Sequence, residues 1–90
     1  MSEKQNIEEL ISQNRLDEAL GELDRMILSQ PGDAVLLFMR GKLKWRLGDR
    51  SGATSDYAAA ARIDPSSAAV AALEHAQDIE NFYNHDLYNP

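Results

Sequence analysis

The side chains able to do covalent or metal chemistry are few, and their spacing does not suit it. Nucleophilic catalysis needs a nucleophile within hydrogen-bond reach of a base. With no cysteine in the chain, the available pairs are serines with His75 or His85. Neither histidine has a serine and an acid arranged around it as a catalytic constellation requires. His75 and Asp78 stand at i,i+3, so on a helix they could reach one metal ion together, but two ligands do not make a site. Thiolate zinc is excluded outright. The expectation is a chain that is not an enzyme and carries no metal or cofactor, with His75 solvated on the polar side of a helix.

Phosphate recognition has one possible starting point, residues 31–50, where Arg40, Lys42, Lys44, Arg46 and Arg50 outnumber Asp33 and Asp49. Alternate residues of a helix lie about 200° apart, so Arg40 and Lys44 point one way and Lys42 and Arg46 another. Two short stripes result rather than a patch. The whole chain of 90 residues carries a net charge of −6, which repels nucleic acid. No nucleic-acid partner is expected. Glu8–Glu9, Asp17–Glu18 and Glu22 read as solvent-facing acidic helix faces, with Glu22 placed to pair with Arg25 at i,i+3.

The opening MSEKQNIEEL has neither the basic start nor the apolar stretch of a signal peptide, and no run approaches the ~20 apolar residues of a membrane span. The lack of cysteine fits a reducing compartment. The expected setting is the cytoplasm, without a membrane partner.

The elements that position these residues follow from a repeat. Pro31 and Pro65 stand 34 residues apart, and at the same offset Asn14 aligns with Gly48, Ala19 with Ala53, and Leu23 with Tyr57. Asn14 and Gly48 are of the two types that most readily take the left-handed conformation closing a helix. Asp49, Asp33 and Ser67 can cap the helices that follow. Apolar residues recur at helical spacing between these marks, as Leu16, Ala19, Leu20, Leu23 and Ile27, and as Ala53, Tyr57, Ala60 and Ala61. No segment sustains the alternation of a strand. The pattern predicts five helices, over 3–13, 16–29, 33–47, 50–63 and 67–83, in a single all-α domain. Short linkers make neighbours antiparallel, and helix pairs stacked at a fixed period form an α-solenoid.

Residues 34–65 resemble the tetratricopeptide repeat over its whole length, with Gly41, Gly48, Asp49, Ala53, Tyr57, Ala60 and Pro65 at the small, aromatic and proline positions of that family's pattern. Gly41, Ala53 and Ala60 would let helix backbones approach, and Tyr57 would fill the remaining gap. Residues 1–33 look like a degenerate first repeat, with Ile7 and Met26 where the family has glycine and alanine, and 34–67 like a full one. Residues 68–90 look like a closing helix with a tail; the helix has an apolar side of Ala69, Ala72, Leu73, Ala76, Ile79 and Tyr83.

The resemblance implies a scaffold that holds a protein or peptide partner in a concave groove lined by the first helix of each pair. It places Val35, Phe38, Lys42, Trp45 and Arg46 toward that groove, and helical geometry keeps these five within about a third of the circumference. Phe38 and Trp45 would be apolar anchors, and Lys42 and Arg46 would select an acidic group or a terminal carboxylate. The alternative is that Phe38 or Trp45 packs as core beneath the last helix or tail. Some members of the family clamp a terminal carboxylate with lysine, asparagine and arginine. Here Lys4 matches, but Glu8, Met39, Ala69 and Leu73 stand at the other clamp positions, so the resemblance implies a more apolar ligand. In the tail NFYNHDLYNP, Phe82, Tyr83, Leu87 and Tyr88 suggest a segment that folds back over the closing helix or groove. With barely two repeats, self-association into a homodimer through Phe38, Trp45 and the tail is the rival use of the same surface.

Overall fold

The structure, a computed structural model, describes residues 3–83, and the side chains of 5–79 within them. Five α-helices follow in order: α1 Glu3–Ser12, α2 Leu16–Ser29, α3 Ala34–Arg46, α4 Arg50–Ile63 and α5 Ala69–Tyr83. No strand occurs among the described residues. The expected fold-back of the residues after Tyr83 lies outside the described residues, as does the side chain of Lys4.

The punctuation acts as its residue types require. Asn14 and Gly48 both hold positive φ, at 60° and 89°. In each case the next backbone N–H reaches back five residues, Arg15 to the Leu10 carbonyl at 2.8 Å and Asp49 to the Lys44 carbonyl at 2.9 Å. These bonds satisfy carbonyls that the helix end leaves open. The Asp33 carboxylate accepts from the Val35 and Leu36 N–H groups, and the Asp49 carboxylate from that of Gly52. The last linker is longer than the repeat suggests. There Ser66 donates its hydroxyl and its N–H to Asp64, holding that carboxyl below its usual range, and Ser67 Oγ accepts from the Ala69 N–H at 3.3 Å. Helix α5 therefore begins at Ala69, past its capping serine rather than on it.

The principal helix contacts run between successive neighbours, α1 with α2, α2 with α3, α3 with α4 and α4 with α5. One apolar core joins Ile7, Leu23, Leu36 and Leu43, all fully buried, with Ala19, Met26 and Ala60. A second, smaller cluster holds Ala53, Tyr57 and Ala76. Phe38 packs against both.

Positions one sequence period apart are packed with different side chains. At Gly41, a Cβ would come within 2.6 Å of the Tyr57 ring and 3.3 Å of the Ala53 carbonyl oxygen, so α3 and α4 meet at backbone distance with the tyrosine wedged between them. The residues one period earlier, Ile7, Leu23 and Met26, are all buried. Glycine, tyrosine and alanine at positions 41, 57 and 60 thus align with three medium-sized apolar side chains one period earlier.

Burial and then the charge of Asp56 make the Tyr57 phenol harder to ionise than its ordinary value of 10.0. The neutral phenol is the form the fold accommodates. Its contribution is complete below the unfolded pKa and is lost as pH rises through the higher folded one. An alkaline titration followed by tyrosinate absorbance is expected to show a delayed step in the native protein. That step should disappear in denaturant and in Tyr57→Phe, and its persistence in Tyr57→Phe would assign it elsewhere.

Candidate functional site

Helices α1 and α3 border a groove of about 390 Å³. Its floor is apolar, made by Ile11 of α1 and by Phe38, Met39 and Leu43 of α3, all at least partly buried. Its rim is exposed and charged, with Glu8 on one side and Val35, Lys42 and Arg46 on the other. Four of the five residues expected to act together, Val35, Phe38, Lys42 and Arg46, are thus in one place.

Trp45 is not with them. It is partly buried beside a separate hollow of about 120 Å³ shared with Tyr57, Ala72, His75 and Ala76. Its ring lies 6.4 Å from that of His75, and the Arg50 guanidinium stands 5.2 Å from its centroid. The physical reason is angular. Trp45 and Arg46 are consecutive and so point about 100° apart on the helix. One turns toward α5, the other toward α1. Phe38 lines the groove, and its ring lies 5.8 Å from that of Tyr57, which lines the other hollow.

His75 is exposed, as expected of a histidine on the polar side of the helix, and its ring lies 6.4 Å from that of Trp45. Asp78 is exposed as well, and no group of three metal-ligating side chains exists among the described residues.

The four basic residues of α3 divide by the two stripes. Arg40 and Lys44 turn to α4 and converge on Asp56, which is only 4% exposed. Arg40 donates Nε and Nη2 to its two carboxylate oxygens, both at 2.8 Å, and Lys44 Nζ stands at 3.3 Å. Arg40 Nη1 reaches Asp24 of α2 at 3.0 Å, so one guanidinium ties three helices together. The hydrogen bonds that Arg40 donates to Asp56 raise its pKa above its already high value, against the opposing effect of burial. The expected Glu22–Arg25 pair forms on the surface at 2.9 Å.

Lys42 and Arg46, on the other stripe, have no carboxylate partner among the described residues. Lys42 Nζ instead sits 4.8 Å from the Phe38 ring centroid. A cation–π contact of this kind is worth roughly 0.5–1 kcal/mol at an exposed site and holds the ammonium at the groove edge. The groove therefore offers apolar surface beside two uncompensated positive charges, on a chain that is otherwise acidic.

Ile11 and Leu43 are groove residues that sequence reasoning did not place there, while Glu8 and Met39 stand where the resemblance put clamp positions. The sequence period held a signal for Ile11 too, since it precedes Trp45 by 34 residues as Glu8 precedes Lys42.

No protein-family model matches the chain, and no curated protein does. Among solved structures, the solution NMR structure of protein BF1650 from Bacteroides fragilis matches with a TM-score of 0.82 and 34% sequence identity, over 99% of this chain and 91% of that one. The chain belongs to the family of BF1650. The BF1650 family therefore has the all-α fold described above. No helix among the described residues is long and apolar enough to cross a membrane.

Proposed function

We propose that the chain is a non-enzymatic protein-interaction module of the tetratricopeptide-repeat type, acting in the cytoplasm and holding a segment of a partner protein in the groove between α1 and α3. The single observation that carries this reading is the composition of that groove, an apolar floor bordered by two cations that no carboxylate among the described residues pairs with. Recognition here involves no chemistry. The floor is held by the core beneath it, so a partner binds a preformed surface and little ordering entropy is lost on the receiving side. Val35 is 53% exposed at the groove edge and presents apolar surface where a partner would sit.

The test is partner capture from a lysate of the source organism by wild type, Val35→Glu and Ile63→Glu in parallel. Ile63 is 46% exposed on α4 and serves as a control for placing a charge on an exposed apolar position. Val35→Glu is expected to lose the captured protein by about tenfold or more, close to 1.4 kcal/mol, while Ile63→Glu retains it. Equal capture by all three would refute the groove as the binding surface.

A further inference from the structure

Resting on the groove reading above, we infer that the partner segment is an amphipathic α-helix with carboxylates along one flank of its apolar stripe, rather than an extended strand or a chain terminus. Two features of the groove lead to this. The first is what its lining lacks. Apart from Glu8, Lys42 and Arg46, the lining side chains are aliphatic, aromatic or thioether, with no amide and no hydroxyl. An extended peptide pressed into such a trough would lose water from its backbone N–H and C=O groups and find few partners for them. A helix satisfies those groups internally and presents only side chains. Anchors at i, i+3, i+4 and i+7 are what a trough between two helices receives.

The second feature is the position of the charges. Lys42 and Arg46 lie one turn apart on α3, on the same rim, and neither is engaged by a carboxylate among the described residues. A ligand helix with two acids one turn apart matches that spacing when its axis runs along the trough. Glu8 on the α1 side repels the same acids, so the charge pattern selects which flank carries them. The remaining basic residues of α3, Arg40 and Lys44, are already bound to Asp56, so a ligand cannot draw on them.

The experiment is a backbone-amide NMR titration of the full chain with three blocked synthetic peptides of equal length. One has leucines at i, i+3, i+4 and i+7 with two glutamates one turn apart on a single flank. The second replaces those glutamates by lysines, and the third keeps the glutamates but carries a central proline. The first is expected to bind about tenfold or more tighter than either other peptide, shifting Val35, Lys42 and Arg46. The Lys42→Glu/Arg46→Glu protein should reverse the preference toward the lysine peptide. Equal binding of the proline peptide overturns the helical ligand, and equal binding of the lysine peptide overturns the charge assignment; both leave the groove itself standing. No saturable shift at millimolar glutamate peptide also overturns the inference. So does sedimentation of the protein alone showing a dimer that Val35→Glu dissociates, since the occupant would then be a second copy. Failure of the groove reading is read separately, from Val35→Glu capturing its partner as wild type does.

Discussion

Asp56→Ala is expected to destabilise the protein by about 3 kcal/mol, the lower end of the cost of breaking a buried ion pair from one side. For a domain of this size, total stability is on the order of 5–13 kcal/mol, so the loss is a large fraction. Asp56 is the common acceptor for Arg40 and Lys44, and the Arg40 side chain is only 20% exposed. Once the carboxylate is gone, the guanidinium keeps its charge, because its pKa is far above any accessible pH. It would then rely on Asp24, whose side chain is 53% exposed and whose attraction water largely screens. The contrast between the two acids is part of the expectation. Asp24→Ala should cost no more than about 1 kcal/mol, although both carboxylates bond the same arginine. Replacing the buried network together, as Asp56→Leu with Arg40→Met and Lys44→Met, should recover most of the loss, since no buried charge is then left stranded. Urea denaturation with unchanged m-values measures all three. If Asp56→Ala falls within about 0.5 kcal/mol of wild type, the pair does not hold α3 to α4.

That network also marks where reading the sequence ends. The helices were legible because their signals are local. Asn14 and Gly48 close helices through their own backbone preference, and Asp33 and Asp49 cap through groups two or three residues away. None of this depends on which faces meet. The convergence of Arg40 and Lys44 on Asp56 requires the rotation of α4 against α3. Nothing near Asp56, in an alanine-rich run beside Tyr57, states that rotation. The one legible trace was the separation of the α3 cations into two stripes, and the stripes do have different fates, one buried against α4 and one left at the groove.

The candidate site divides in the same way. Val35, Phe38, Lys42 and Arg46 share the groove because they share an arc of α3, which spacing alone reveals. Trp45 lies at the edge of that arc, where a small angle decides between two neighbouring helices, and it turns to α5. The opposite wall, Glu8 and Ile11, belongs to another helix, and its placement depends on how α1 packs on α2 and α2 on α3, which no residue-level pattern within α3 carries.

Gly41→Ile should cost about 3 kcal/mol or more, at the upper end of overpacking effects, and the loss should depend on Tyr57. Even a single added carbon would lie 2.6 and 2.7 Å from two Tyr57 ring atoms and 3.3 Å from the Ala53 carbonyl oxygen. Gly41→Ala is milder. The ring has the small hollow toward Trp45 and Ala72 into which to shift, and alanine returns up to about 1 kcal/mol of helix propensity. A net cost of about 1 kcal/mol is expected once that gain is set against the strain. Isoleucine has no such offset, because its branches extend into the space the ring already fills. The sequence offers a compensating change to test, for Ile7 and Leu23 align with Gly41 and Tyr57 one period earlier and both are fully buried. Combining Gly41→Ile with Tyr57→Leu should therefore be less damaging than the sum of the two single changes by about 1 kcal/mol or more, a coupling that a double-mutant cycle reads directly. Tyr57→Leu alone leaves a void at the α3–α4–α5 junction, so the cycle tests volume exchange rather than the loss of either residue. Additive losses would mean that the glycine is required for a backbone approach that no smaller partner at position 57 can restore.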